Sequence, residues 1–161
     1  MPVRLRPINT TEQKLARLAA HLDCNAKLIL VGEAPGYQGC RYSGVAITSE
    51  RLLLEGMIPG MPALQGRLTD RAKPFSEPSA TIVWGKLQEL GIAGEVILWN
   101  SVQLHPHHPS KPHTNHTPTR EEFSLGLPAL HMLRAHYPNA TFVAIGKNAD
   151  DVLRETLKKT S

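Results

Sequence analysis

The feature that most constrains the fold is a run of four apolar residues, Leu28 to Val31, followed at once by the segment Gly32-Glu33-Ala34-Pro35-Gly36. An apolar run this short and continuous is typical of a strand buried on both faces, as in a parallel sheet covered by helices. The two glycines and the proline predict a sharp turn that leaves backbone N–H groups open to another molecule. Open α/β sheets bind ligands at the carboxyl ends of such strands, so this loop is a candidate binding site. Taken alone, the same residues also fit an ordinary turn with Glu33 in solvent.

Two later segments repeat the strand pattern, Val96 to Trp99 and Thr141 to Ile145. Apolar residues at helical spacing lie between the strands, and Thr119 with Glu122 forms a capping box that predicts a helix running to about residue 136. The other predicted helices cover about 12–22 behind a Thr10 or Thr11 cap, a short stretch after Thr48 or Ser49, the segment from Ser79 to Gly91, and the region of Val152 to Leu157. This alternation predicts one α/β domain over residues 1–161, with three layers, α/β/α, around a short central parallel sheet.

Three finer expectations follow from the same patterns. In the helix that begins at Ser79, the side chains of Ile82, Val83, Leu87 and Leu90 are predicted to share one apolar face. Residues 59–78 are poorly periodic and contain several prolines and glycines, which predicts a long surface loop. Residues 1–9 are expected to form an irregular lead-in.

Composition places the chain among ordinary globular proteins. Of its 161 residues, 41% are hydrophobic and 20% are charged, which allows one domain with a core. No segment has the apolar length needed to span a bilayer, and residues 1–6 lack the hydrophobic core of a signal peptide, so we expect a cytoplasmic protein. Cys24 and Cys40 are expected to be reduced, buried and outside any metal site. The net charge of +4 permits a polyanionic partner.

Three groups of residues then occur in order along the chain. They are Val31 to Gly36 with Ser43 to Ile47, Trp99 to Val102 with Asn115 to Glu122, and Val143 to Ala149. In this order and at these intervals the chain resembles the uracil-DNA glycosylase superfamily over roughly residues 25–155. Within that superfamily it resembles the bacterial and archaeal family whose first motif is Gly-Glu-Ala-Pro-Gly.

The resemblance implies a DNA glycosylase that hydrolyses the N-glycosidic bond of a flipped-out uracil or related base in DNA, as in base-excision repair, without metal or cofactor. It makes Glu33 and Asn100 the candidate catalytic residues: Glu33 in a loop that activates water, and Asn100 as the amide that recognises the uracil edge. The resemblance also implies an aromatic residue near Gly44 to Ile47 that stacks on the base. This chain has Ile47 there, so stacking would be weaker, or Tyr37 or Tyr42 would have to supply it. The candidate substrate-binding residues are Gly32, Ala34, Pro35, Gly36, Tyr37, Ile47 and Asn100.

The sequence departs from the superfamily pattern at three points. Ala34 stands where some members carry a catalytic aspartate. The iron–sulfur cluster of the Gly-Glu-Ala-Pro-Gly type needs four cysteines, and this sequence has two. The resemblance also implies a fourth parallel strand and a His-Pro-Ser type motif, and neither is found before Ser161. We therefore expect slow or no excision, and an open sheet edge at 141–145 that favours self-association or pairing with another segment.

Basic residues predict contacts with DNA phosphates. The segment 101–118 contains five histidines, for which three interpretations remain: a solvated loop, a phosphate-contacting loop, or a zinc site formed by His105, His107 and His108. The zinc interpretation has the least support, because these spacings fit no standard tetrahedral pattern. The candidate DNA-binding residues are Arg41, Arg67, Arg71, Lys73, His105, His108 and Lys111.

Two other functions remain open from the sequence. One is a nucleic-acid-binding relative that has lost catalysis, which Ala34 and Ile47 suggest. The other is a small-molecule α/β hydrolase or nucleotide-binding domain that uses the Gly32 to Gly36 turn to hold a phosphate. That alternative is weaker, because the turn lacks the Lys-Ser/Thr ending of a phosphate-binding loop.

Overall fold

The structure is a computed structural model that describes residues 9–158. Most of the predicted lead-in 1–9, and Ser161, therefore lie outside the described residues. The chain forms two units. The helical unit contains the residues up to Asp23 and Gln38–Ala93, and the sheet unit contains Cys24–Tyr37 and the residues from Gly94 onward. A single domain over 1–161 and a three-layer arrangement stay predictions.

The described part of the helical unit contains four α-helices: α1 Thr11–Leu22, α2 Cys40–Ser43, α3 Glu50–Leu54 and α4 Pro78–Glu89. The start of α1 confirms a predicted cap. The Thr10 side chain accepts a hydrogen bond from the Gln13 amide, and the Gln13 side chain accepts one from the Thr10 amide. Helix α2 was not predicted, since four residues are too few to show helical periodicity.

The predicted apolar face of α4 is correct for Leu87 and wrong for Ile82 and Leu90. Ile82 is 71% exposed and Leu90 is 59% exposed, whereas Ala80, Trp84 and Leu87 are buried. The Trp84 indole N–H donates to the Ile47 carbonyl (3.0 Å) and to the Thr48 hydroxyl (3.1 Å), which fixes the side of α4 that faces the core. Ile82 precedes Trp84 by two residues, so at 3.6 residues per turn it points to the opposite side.

Residues 59–78 contain no helix or strand until Pro78, as predicted, but they are not wholly a surface loop. Leu68, Thr69 and Phe75 are buried. The cause is Glu50, a fully buried residue of α3 whose carboxylate accepts hydrogen bonds from the Arg67 side chain, the Leu68 amide and the Thr69 hydroxyl. A buried carboxylate needs such partners, so the loop folds inward to supply them.

The sheet unit contains three parallel strands in the order β2-β1-β3: β1 Leu28–Gly32, β2 Val96–Asn100 and β3 Thr141–Ala144. A 3-10 turn, Ala93–Glu95, precedes β2. Helix α5, Arg120–His136, follows β2, and helix α6, Lys147–Lys158, follows β3. The predicted α/β class with a parallel sheet is confirmed, as is the capping box of Thr119 and Glu122 at the start of α5.

Strand β1 lies in the centre of the sheet, and the β1 and β2 side chains Ile29, Val31, Ile97 and Leu98 are 0% exposed. The outer edge of β3 has no strand partner among residues 9–158. No helix in this range is long and apolar enough to cross a membrane.

Candidate active site at the carboxyl edge of the sheet

The loops after β1 and β2 are joined where the two strands end. Gly32 is paired with Asn100 in the parallel register. The Gly32 carbonyl accepts hydrogen bonds from the Ser101 amide (2.8 Å) and the Ser101 hydroxyl (2.9 Å). The Glu33 carbonyl accepts one from the Val102 amide (3.0 Å). The predicted candidates Gly32, Glu33 and Asn100 are therefore neighbours at one edge of the sheet.

Asn100 ends β2 with its side chain almost fully buried, at 5% exposed. Its backbone carbonyl accepts a hydrogen bond from the Gln103 side chain (3.0 Å). In the described part of the chain, its side-chain carboxamide forms no hydrogen bond. A carboxamide offers two N–H donors and an acceptor oxygen, and neither polar atom of this one is wholly cut off from solvent. The arrangement therefore leaves an amide group open to a ligand at this edge.

Glu33 is half-buried in the loop after β1. Its carboxylate is held by a residue of α6, the helix that follows β3. The Asn148 side-chain amide, in the first turn of α6, donates to Glu33 Oε2 at 2.9 Å. Sequence reasoning gave Asn148 no role, although it belongs to the motif at Val143 to Ala149. The sequence did contain a signal for Asn148. Parallel strands have their carboxyl ends at the same edge of the sheet, so residues that follow β3 lie close to those that follow β1.

The rest of the glycine loop is open at its end. A side chain at Gly36 would meet nothing within 4 Å, and Pro35 is buried while Ala34 is half-buried. The Tyr37 amide donates to Asn115 Oδ1 (3.1 Å), and the Tyr37 ring lies edge-on to the His113 ring with centroids 6.3 Å apart. The histidine-rich segment 101–118 therefore contacts the glycine loop.

The aromatic candidates lie in different surroundings. Tyr37 belongs to the sheet unit, as Asn100 does. Tyr42 belongs to the helical unit, where its ring stacks on Phe75 with centroids 5.1 Å apart. Ile47 is also in the helical unit; it is buried and adopts a left-handed φ of 50°. Any stacking of these residues on a base stays a prediction.

Three of the predicted DNA-binding arginines already have contacts inside the helical unit. Arg67 pairs with buried Glu50. The Arg71 guanidinium lies 3.7 Å from the centroid of the Phe75 ring, and that of Arg41 lies 5.2 Å from the centroid of the Tyr42 ring. The four remaining candidates are exposed or partly exposed: Lys73 in the helical unit, and His105, His108 and Lys111 in the sheet unit. Contact with DNA stays a prediction for all seven.

The described residues provide few groups of side chains that could act as ligands of a metal ion or an iron–sulfur cluster. They contain no group of three or more His, Cys, Asp and Glu side chains that could hold a metal ion, which leaves the zinc interpretation of His105, His107 and His108 without support. Cys24 and Cys40, which were expected to be buried, are half-buried, and neither forms a disulfide within the described residues. Burial raises the pKa of Cys40 to about 12, and Glu77 adds to this shift. The Cys40 thiol is therefore protonated near neutral pH.

Comparison with known proteins adds one match. A model of the Uracil DNA glycosylase superfamily matches residues 19–160. This range includes all three strands and every candidate site residue. No curated protein matches the chain.

Proposed function

Since the chain belongs to the Uracil DNA glycosylase superfamily, we propose that it hydrolyses the N-glycosidic bond of a flipped-out uracil or a related base in DNA. The observation that carries this proposal is the Asn100 carboxamide, which is buried beside Gly32 and has no hydrogen bond in the described residues. Membership of this family makes the protein glycosylase-like and makes DNA its partner. The base, the chemical step and a role in base-excision repair are the proposal.

We assign recognition of the base to Asn100. A pyrimidine such as uracil carries adjacent carbonyl and N–H groups, and a carboxamide can donate to one and accept from the other. Access requires the base to leave the stack, which costs about a few kcal/mol. The Asn100 amide recovers part of this cost when it forms two hydrogen bonds to the base.

We assign the hydrolytic step to Glu33. A carboxylate near the sugar carbon stabilises the positive charge that develops as the bond to the base breaks, and it orients the attacking water. The hydrogen bond from Asn148 leaves Glu33 Oε1 for this water, because the amide contacts Oε2. The half-buried position of Glu33 allows water to enter while strengthening its electrostatic effect.

The reaction also requires that the negative charge on the departing base be stabilised. The open backbone of the Gly32 to Gly36 loop supplies N–H groups that can stabilise such charge without rearranging. Ala34 contributes no acid or base. The reaction therefore depends on Glu33 and Asn100, and a chain with this loop is expected to be slower than members with an aspartate at this position.

Binding of the DNA strand falls to basic residues that contact phosphates. We propose this role for Lys73, His105, His108 and Lys111, and also for Arg41, Arg67 and Arg71 where their guanidinium groups remain accessible. The reduced thiols of Cys24 and Cys40 are compatible with a cytoplasmic location, which we also propose.

We further propose that the outer edge of β3 pairs with another strand, either in a second copy of the chain or in another segment. Val143 and Ile145 are 40% and 37% exposed there. Unpaired edges with β-branched residues recruit strands. Sedimentation at rising protein concentration tests the second copy, and Val143→Lys should abolish the association if the edge is responsible.

The test of the proposed reaction is incubation with an oligonucleotide that contains one uracil, followed by alkali and separation on a gel. Strand cleavage at the uracil, lost in Glu33→Gln with DNA binding retained, is the expected result. DNA binding without cleavage in the parent chain would favour a relative without catalysis. Nucleotide binding without DNA binding would favour the small-molecule alternative.

A further inference from the structure

A glycine in the middle of α5 lies against the turn that follows Asn100. Gly126 is buried, and a Cβ atom built on it would lie 1.8 Å from the Ser101 carbonyl oxygen and 2.9 Å from the Ser101 carbonyl carbon. Real side chains do not approach other atoms closer than 3.0 Å in this way. Gly126 therefore allows the α5 backbone to touch the backbone of Ser101, which no other residue type permits.

This contact holds the turn after Asn100 from the side of α5, and hydrogen bonds hold it from the side of β1. The two sets of contacts together are called the clamp. On the other side, the amide and hydroxyl of Ser101 both donate to the Gly32 carbonyl, and the Val102 amide donates to the Glu33 carbonyl. The Gln103 side chain holds the Asn100 carbonyl. Asn100 thus enters the site from a turn whose position is set by β1 on one side and by α5 on the other.

The sequence gives an independent reason to regard Gly126 as a packing requirement. Glycine is the least favourable residue in a helix interior after proline. Position 126 lies within the long helix Arg120–His136, and its φ is not in the left-handed range. The glycine is therefore explained by the close approach to Ser101 and not by backbone conformation.

We propose that Gly126 is a positioning residue: by admitting the Ser101 carbonyl, it sets the place of the turn and so of the Asn100 carboxamide. This inference rests on the proposed function. An added methyl group at residue 126 would meet the Ser101 carbonyl and so push the turn away from α5, towards β1.

The test compares Gly126→Ala with Gly94→Ala, a matched change in the same unit where a Cβ meets nothing within 4 Å. Misplacement of a positioned group by about an ångström costs on the order of 10²-fold in rate. We expect Gly126→Ala to lower kcat for uracil excision by about this factor with little change in KM, since KM is dominated by phosphate contacts. Amide hydrogen exchange at Ser101 and Val102 should become faster. Gly94→Ala should match the parent in both measurements.

Excision at the parent rate by Gly126→Ala, or unchanged exchange at Ser101 and Val102, would overturn the proposal. If Gly126→Ala does not fold, Ser101→Ala loosens the same turn from the β1 side, and a parent rate there shows that Asn100 does not depend on the clamp. If the parent chain excises no uracil, the proposed function fails, and the exchange comparison alone decides the role of Gly126.

Discussion

Glu50 in the helical unit and Asn100 in the sheet unit are both buried polar side chains at the edge of a loop, but their surroundings differ. Glu50 is fully buried, and its two carboxylate oxygens accept three hydrogen bonds, one of them from a cation. Asn100 is buried with a carboxamide that has no hydrogen bond among residues 9–158. The hydrogen bonds of Glu50 stabilise the folded state, whereas the Asn100 carboxamide forms none that would do so. The contrast indicates that Glu50 serves the fold, and it supports the proposal that Asn100 serves a ligand.

The largest effect is expected from Arg67→Ala, which leaves the Glu50 carboxylate buried without its cation. Removing one partner of a buried pair costs about 3–5 kcal/mol, and we expect the lower end because the Arg67 side chain is 31% exposed. Urea unfolding measures the change. The control is Lys86→Ala in the exposed pair with Glu89, where the loss should stay below about 1 kcal/mol. Equal losses in the two variants would show that Glu50 does not organise its loop.

Asn100→Ala should give the opposite pattern, with stability retained and excision lost. Because the carboxamide has no hydrogen bond within the described residues, its removal breaks no interaction with the fold. Loss of one well-placed polar contact costs about 1–3 kcal/mol, or about 10- to 100-fold in rate. Gel assays and thermal unfolding measure the two effects, with exposed Asn139→Ala as the control. A strongly destabilised Asn100→Ala would instead identify a structural residue.

Asn148→Ala tests the hydrogen bond that holds Glu33. Hydrogen bonds to charged groups contribute about 1.5–3 kcal/mol, and this one is only part-buried, so we expect about a tenfold decrease in kcat. DNA affinity should not change. Lys147→Ala is the control, since its ammonium group is exposed and pairs with Asp151. A lower affinity with an unchanged kcat would place Asn148 in DNA binding.

The smallest effect is expected from Lys111→Ala. A single phosphate contact changes the slope of log affinity against log salt by about 1 and weakens binding equally for all sequences. Fluorescence anisotropy at several salt concentrations measures the slope. Lys27→Ala is the control, because Lys27 pairs with Glu95 at 2.7 Å. Identical slopes for the parent and Lys111→Ala would exclude a phosphate contact at this residue.

The parts of the fold that the sequence predicted are those encoded by neighbouring residues. The buried strands 28–32 and 96–100 are continuous apolar runs, and the caps at Thr10 and Thr119 are set by residues three positions later. Glu33 and Asn100 were named from the resemblance to the superfamily's motifs, and each directly follows or ends such a strand. These signals need no knowledge of the tertiary structure.

The missed features depend on residues far apart in the sequence. Trp84 is oriented by Ile47 and Thr48, and Gly126 is explained by Ser101. Glu50 is buried because the segment from Arg67 to Thr69 folds over it. Periodicity places such residues on a helix or in a loop, but it does not identify the atoms that they meet.

The hydrogen bond between Asn148 and Glu33 joins residues 115 positions apart, and it has a consequence for synthesis of the protein. Ribosomes add about 5–20 residues each second, so Glu33 leaves the ribosome several seconds or more before Asn148 does. During that interval the glycine loop exists without its partner, and the edge of β1 that will receive β3 is uncovered. A nascent chain therefore cannot hold Glu33 in its final position until Asn148 has emerged, so the carboxyl edge of the sheet is completed well after β1 and β2 have been synthesised.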